Sequence, residues 1–271
     1  MEVEVDCVVF FIFFIYLLIA TIWDIKKREI PDWISYSLLF FGISYRIFQS
    51  FFYSSIIFNL AIVYFLFFIL ANIFYYSKFF AGGDYKLLIS LSPVFCYPPL
   101  ILKKDFFFVK FLIYVLIVSS IYGLIWSFYI LIKNYKKFKF KEEIKESKFL
   151  TIVLFSLIFL ILSLIFYFIY DHIFFIFSFL IFLIFPFLYI IINFADKMLI
   201  IEKNYNEIVE GDILYKDIKI GNKIIKAKWE GLNKEEIKLI KKFKKKVKIK
   251  EGIPFVPVFF IAFVLLWFPF F

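Results

Sequence analysis

Cysteine and histidine are scarce in this sequence. Its 271 residues include two cysteines, Cys7 and Cys96, and one histidine, His172. The cysteines are far apart and form no CxxC pair, which argues against a zinc ribbon or a thioredoxin-like redox site. A Gly-rich phosphate loop and a Ser-His-Asp set are also missing. We therefore expect no metal site and no cofactor.

Apolar residues, in contrast, are abundant. The chain is 64% hydrophobic and contains 45 Phe, whereas an ordinary globular domain is about 45–50% apolar. A soluble core could not bury this surface, and a bilayer-spanning helix needs about 20 apolar residues. The sequence therefore predicts an all-α polytopic membrane protein with about eight transmembrane helices. The predicted spans are residues 7–23, 33–48, 51–76, 84–102, 106–132, 149–170, 173–195 and 253–271.

Positive charge is distributed unevenly among the loops between these spans. The formal net charge is +10, and basic loops of membrane proteins stay in the cytoplasm. This rule predicts a multi-pass protein of the cell membrane with both termini outside. The charge also indicates the lipid bilayer, and not nucleic acid, as a partner. Of the 32 Lys and Arg residues, four are assigned to the outer side, in its loops or near the adjoining ends of spans: Arg46, Lys103, Lys104 and Lys110.

The spans divide the chain into four regions. Residues 1–132 form a transmembrane core that contains the candidate catalytic residues, and residues 133–195 a charged cytoplasmic loop followed by a transmembrane hairpin. Asp171 and His172 are predicted to form the turn of that hairpin. Residues 196–252 form a basic cytoplasmic region, and residues 253–271 the final transmembrane helix.

The basic region 196–252 is predicted to be a small α+β segment. Its β-branched runs at residues 218–220 and 224–225 are punctuated by glycine, which is typical of strands. The stretch GLNKEEIKLIKKFKKK then predicts a helix with Asn233 as its N-cap and Glu236 three residues later. Three apolar residues recur at helical spacing in it: Ile237, Ile240 and Phe243.

Two aspartates lie at the ends of predicted spans. Asp24 follows the first apolar run and Asp84 opens the fourth. The chain crosses the membrane twice between them, which places both on the cytoplasmic side. Two carboxyl groups close together in a partly dry site can share a proton, so that one activates a water molecule while the other polarises a peptide carbonyl. Asp24 and Asp84 are thus the candidate catalytic residues, and Gly82 and Gly83 would let the backbone approach a partner helix or an extended substrate.

The residues around both aspartates resemble a known family. DIKKREIPDW, residues 24–33, resembles the first aspartate motif of the type IV prepilin peptidases, and AGGDYKL, residues 81–87, resembles their Gly-x-Gly-Asp motif. Ala81 stands where the family has its first glycine. The soluble segment before a last helix that opens with GIPFVPVFF is similar to the archaeal members, the prepilin and preflagellin peptidases.

The resemblance implies a membrane aspartyl endopeptidase that removes the short basic leader peptide from type IV pilin-like precursors at the cytoplasmic membrane face. The bacterial enzymes carry a cysteine-rich segment and methylate the new N-terminus. This chain has no such segment, so cleavage without N-methylation is implied. The additional residues 133–195 favour a prepilin peptidase over a preflagellin (archaellin) peptidase, which stays an alternative.

Three charged residues near the aspartates have two interpretations each. Glu29 and Asp32 could bind Lys or Arg of the leader, or form ion pairs with Lys26 or Arg28. Lys86 could favour the charged form of Asp84, or extend towards the membrane surface.

Three other functions fit parts of the sequence. A transporter or channel could use Asp24 and Asp84 as an ion relay, although it would place them nearer the middle of spans. A non-catalytic scaffold of a pilus or archaellum machinery would tolerate Asp-to-Asn changes. A general intramembrane protease would cut inside, and not before, the apolar helix of its substrate.

Overall fold

Long apolar helices make up most of the structure, which is a computed structural model. It describes residues 2–96, 107–146, 148–167, 172–221, 223–243 and 246–267. The chain forms two compact units. The first unit comprises Met1–Ile121, Ala227–Asn233 and Gly252–Phe271, and the second comprises Tyr122–Lys226 and Lys234–Glu251.

The first unit is a helical bundle. The last helix packs on the first, and the second, third and fourth helices pack on one another. Its core is rich in fully buried phenylalanines, including Phe13, Phe67 and Phe95. The helices are α1 (Glu2–Lys27), α2 (Asp32–Ser50), α3 (Ser55–Tyr76), α4 (Gly82–Ser90), α5 (Phe107–Lys133, which continues into the second unit) and the last helix of the chain, Val256–Trp267.

Several of these helices are long and apolar enough to cross a bilayer. Three meet the length and composition of a span within the part of the chain that the structure describes: Val9–Lys27, Ser55–Tyr76 and Phe108–Lys133. Phe149–Ile161 and Val256–Leu266 are shorter apolar helices. The protein is thus a mostly helical membrane protein, and the prediction of about eight spans is confirmed only in this coarser form.

The fourth predicted span, residues 84–102, is not one continuous helix. Helix α4 ends at Ser90, and a short 3₁₀ helix, Ser92–Phe95, follows it. Pro93 explains the break, because proline has no N–H to continue the α-helical ladder and its ring clashes with the preceding turn. Residues 97–102 of this predicted span lie outside the described residues.

Arg46 does not lie exposed at the outer membrane surface, where the positive-inside count places it. It lies within α2 and only 2% of its surface is exposed. Its Nε donates to the carbonyl of Pro93 at 2.8 Å and its Nη2 to the carbonyl of Val94 at 3.2 Å. Carbonyls of a short 3₁₀ helix need donors when buried, and the guanidinium supplies them. Arg46 therefore fastens the 3₁₀ helix to α2.

Gly42 allows α2 to approach this same 3₁₀ helix closely. A Cβ added at Gly42 would lie 2.7 Å from the Pro93 Cβ, 2.8 Å from its Cγ and 3.0 Å from the Phe13 ring. We expect Gly42→Ala to lower the free energy of unfolding by about 1–3 kcal/mol, because the proline ring cannot move aside without disturbing the helix junction. Titration with a denaturing detergent would measure the loss.

Gly123 provides the matched control for that substitution. It also lies inside a helix, α5, but no atom lies within 4 Å of an added Cβ. Gly123→Ala should therefore leave stability unchanged or raise it by about 0.5–1 kcal/mol, the usual helical preference for alanine. Equal effects of the two substitutions would contradict the close approach at Gly42.

The second unit combines helices with two small sheets. The elements are α6 (Phe140–Glu146), α7 (Phe149–Tyr167), α8 (His172–Met198), β1 (Ile200–Lys203), β2 (Ile218–Ile220), β3 (Lys223–Ile225), α9 (Lys234–Lys242) and β4 (Val247–Lys250), and the last helix of the first unit is α10. Helix α8 packs against both α6 and α7. Strands β1 and β4 pair antiparallel, with Ile200 opposite Lys250, and β2 pairs antiparallel with β3.

Several sequence expectations for this unit can be compared with it directly. The strands at 218–220 and 224–225 are present, and α9 begins directly after Asn233. Ile237 and Ile240 are buried, whereas Phe243 follows the last residue of α9 and is 53% exposed. His172 begins α8, and Asp171 lies outside the described residues.

Candidate active site

Asp24 lies one turn before the end of α1, because this helix continues four residues beyond the predicted span. Its side chain is buried, and Oδ2 accepts a hydrogen bond of 3.0 Å from the backbone N–H of Val256. Val256 is the first residue of α10. The first N–H groups of a helix have no partner within it and carry partial positive charge, so they suit a carboxylate. The start of α10 therefore holds the Asp24 side chain.

Arg28 makes a second connection between the same two segments. It follows the last residue of α1 and has φ +59°, the left-handed conformation that ends many helices. Its N–H donates to the Asp24 carbonyl at 2.8 Å, and its guanidinium donates to the Gly252 carbonyl at 3.0 Å. The end of α1 and the segment leading into α10 are thus joined at two points, Asp24 and Arg28.

Asp84 is the third residue of α4 and is also buried. Its Oδ2 accepts the backbone N–H of Ala81 at 3.1 Å, which satisfies a donor at the start of the helix. Ala81 itself has φ −74° and ψ 168°, an extended conformation open to any residue. Alanine in place of the family's first glycine therefore costs no backbone strain.

The two aspartates belong to one buried site. The side chains of Asp24 and Asp84 are both buried. Their surroundings also converge, because Phe80, just before the second motif, packs on Phe255 and Phe259 with ring centroids 5.0 and 5.4 Å apart. Phe255 precedes Val256, the residue that binds Asp24. The structure therefore brings together the two residues predicted to be catalytic.

The two motif glycines have different surroundings. A Cβ on Gly83 would lie 3.1–3.3 Å from side-chain atoms of Ile30, so glycine lets α4 pack closely on the loop that follows α1. Among the described residues, a Cβ on Gly82 would meet no atom within 4 Å apart from its chain neighbours and its own helix backbone. Gly83 thus fits the predicted approach of backbone to a neighbouring segment, and Gly82 borders open space.

The charged residues predicted near the site lie at its exposed edge. Asp32 Oδ1 pairs with Lys86 Nζ at 2.6 Å, and their side chains are 58% and 35% exposed. An exposed ion pair of this kind contributes about 0–1 kcal/mol. Glu29 is exposed in the loop between α1 and α2. The pair Asp32–Lys86 joins the beginnings of α2 and α4.

Comparison with known proteins agrees with the site. Residues 11–128 match the type IV leader peptidase family. This segment contains both aspartates and both motifs, and the match confirms the resemblance to the prepilin peptidases. The prepilin peptidase EppA of Methanocaldococcus jannaschii is 31% identical over 147 residues, which cover 54% of this chain and 39% of the relative. No solved structure gives a significant match.

Proposed function

We propose that this protein is a membrane aspartyl endopeptidase that removes the short basic leader peptide from type IV pilin-like precursors. The observation that carries the proposal is the pair of buried aspartates, Asp24 and Asp84, whose surroundings meet where Phe80 packs on Phe255. Both aspartates lie within a segment that matches the leader peptidase family. A prepilin peptidase among the relatives supports the same reaction class. Since the chain spans about two fifths of that relative, its substrate is part of the proposal.

The pair can perform peptide hydrolysis without a covalent intermediate. One carboxylate removes a proton from a water molecule, whose oxygen attacks the carbonyl carbon of the scissile peptide. The other carboxyl group, in its protonated form, donates to the carbonyl oxygen and stabilises the charge that develops there. When the C–N bond breaks, the leaving amine takes a proton from the dyad, and the water has been divided between the two products. The two groups titrate as one unit.

The backbone donors around the pair support this role. Val256 N–H and Ala81 N–H each bind one carboxylate oxygen, so both side chains are oriented before any substrate arrives. Preorganised groups avoid the cost of reordering during the reaction. Their burial keeps bulk water away, which strengthens the electrostatic interactions within the site.

Two exposed acidic residues at the edge of this site would bind a short basic leader. Glu29 and Asp32 are exposed just after Asp24, and they would attract leader Lys or Arg residues. The open space beside Gly82 would admit an extended segment of the substrate. Lys86 pairs with Asp32 in the structure, and a basic leader residue that binds Asp32 would displace it. Substrate binding would involve Gly82, Gly83, Glu29, Asp32 and Lys86.

The finer features of the proposal are inferred from the basic loops and from the resemblance of the two aspartate motifs. The active site faces the cytoplasm, both termini lie outside, and the product is not N-methylated. An archaellin precursor is the second candidate substrate. Testing which of the two precursors the enzyme cleaves distinguishes an archaellin from a pilin-like substrate.

A direct cleavage assay tests the proposal. The full chain in lipid nanodiscs is mixed with a tagged pilin-type precursor or a tagged archaellin precursor, and the products are identified by mass spectrometry. We expect one cut immediately before the apolar segment of one precursor and an unmethylated new N-terminus. A cut inside the apolar segment would instead indicate a general intramembrane protease. If neither precursor is cut, the proposal is wrong and the transporter or scaffold function gains support.

A further inference from the structure

One short piece of the basic region belongs to the first unit. Residues 227–233 cluster with the helices that carry the aspartates, while the residues on either side of them cluster with the second unit. A tight turn shapes this piece, since Gly231 N–H donates to the Lys228 carbonyl at 3.2 Å and Gly231 has φ +79°. Trp229 occupies the turn, half-buried, with exposed Lys228 and Glu230 as its neighbours.

Trp229 donates a hydrogen bond next to the second aspartate motif. Its indole Nε1 lies 3.1 Å from the carbonyl oxygen of Phe80. That carbonyl belongs to the same peptide group as the N–H of Ala81, which donates to Asp84 Oδ2 at 3.1 Å. One planar peptide therefore receives a proton donor on one side and presents its own donor to the carboxylate on the other.

Two consequences follow from this arrangement. A peptide group is rigid, so holding its oxygen also fixes the direction in which its N–H points. Hydrogen bonds in such a chain also polarise one another, which makes the donor to the carboxylate stronger. The rings of Phe74, Phe255 and Phe259 pack on Phe80 and fix its side chain. Rotation of the peptide plane between Phe80 and Ala81 is then controlled by its hydrogen bonds.

We propose that Trp229 is a positioning residue for Asp84, acting through the peptide group between Phe80 and Ala81. This role deepens the proposed function and rests on it. It also assigns a task to the basic region, whose turn at residues 227–233 would complete the active site from a distant part of the sequence. Trp229 is not a catalytic residue, because its contact is with the backbone and not with the reacting groups.

The test compares Trp229→Phe with Trp126→Phe in the full chain in nanodiscs. Phenylalanine keeps the aromatic bulk at residue 229 and removes the N–H. Trp126 lies in α5 against the rings of Tyr122 and Tyr129, and serves as the matched control. Two quantities are measured: steady-state cleavage of the precursor, and hydrogen exchange of the peptide covering residues 79–85.

We expect Trp229→Phe to lower kcat about three- to tenfold, with KM changed less than about twofold, as for the loss of one neutral hydrogen bond. Hydrogen exchange in residues 79–85 should become faster by a similar factor, while that in α9 stays the same. Trp126→Phe should change none of these values. A purely structural role would instead lower the active fraction and accelerate exchange throughout the protein.

Other outcomes would overturn the inference. Unchanged exchange in residues 79–85 would show that the indole does not hold this peptide. Faster exchange with unchanged kcat would show that the peptide does not position Asp84 for catalysis. If the wild-type chain cuts no precursor, the proposed function fails separately, and exchange alone then decides whether Trp229 orders the motif.

Discussion

Replacing either Asp24 or Asp84 by asparagine is expected to lower cleavage of the precursor by about 10³-fold or more. Asparagine cannot accept a proton from water or deliver one to the carbonyl oxygen, so each substitution removes one half of the reaction. Because the two groups act as a unit, the double variant should be no worse than either single one. Single-turnover cleavage by purified protein in nanodiscs would measure these rates.

The same substitutions should preserve the fold. Asparagine keeps an oxygen that can accept the N–H of Val256 at residue 24, or that of Ala81 at residue 84. Asp196→Asn is the matched control, since Asp196 is an exposed residue of α8 paired with Lys250. It should retain activity within about twofold. Substantial cleavage by either Asp24→Asn or Asp84→Asn would contradict the proposed dyad, and a folded but inactive Asp196→Asn would point to another acidic residue.

That these two aspartates belong to one site could be predicted, because the prediction depends on only a few short sequence patterns. Asp24 and Asp84 each lie at the end of an apolar span, and two predicted spans separate them, which returns the chain to one side of the membrane. A carboxylate at membrane depth is costly unless a partner or a function compensates. The glycines beside Asp84 add local information, since Gly83 proves to be the point where the loop after α1 approaches α4.

The rest of the site depends on contacts between residues that are far apart in sequence. Val256 N–H binds Asp24 across 232 residues, and Trp229 binds the Phe80 carbonyl across 149. In both contacts one partner is a backbone group, which nearly every residue type carries. The sequence therefore does not show which residue supplies that partner. The motif GIPFVPVFF correctly indicated the start of a helix, but a sequence pattern does not show which carboxylate lies before the free N–H groups of that helix.

Hydropathy was least informative for charges that the fold buries. The positive-inside count assigns Arg46 to the outer membrane surface, because a single arginine near the end of an apolar run usually extends to that surface. The structure instead buries Arg46 against the 3₁₀ helix that contains Pro93. The signal for this contact is split between two segments, a lone arginine in α2 and a proline 47 residues later. Neither segment predicts the other.

Removing the Arg46 side chain is the second substitution for which a large effect is expected. Arg46→Leu should lower the free energy of unfolding by about 2–4 kcal/mol, measured by titration with a denaturing detergent. The buried Val94 carbonyl would lose the donor that Arg46 supplies, and the Pro93 carbonyl would keep only its longer bond of 3.3 Å from the Cys96 N–H. An unsatisfied buried carbonyl costs about 1–3 kcal/mol. Relief from burying the guanidinium charge offsets part of this loss.

Arg46→Lys separates the contribution of charge from that of geometry. Lysine keeps the positive charge, but its ammonium group is a single centre and cannot reproduce the planar fork that reaches Pro93, Val94 and the Gln49 side chain together. We expect a loss about half that of Arg46→Leu. Wild-type stability in Arg46→Leu would contradict the anchoring role, and wild-type stability in Arg46→Lys would show that charge alone suffices. Because the 3₁₀ helix directly follows α4, a detached anchor would also loosen the helix that carries Asp84.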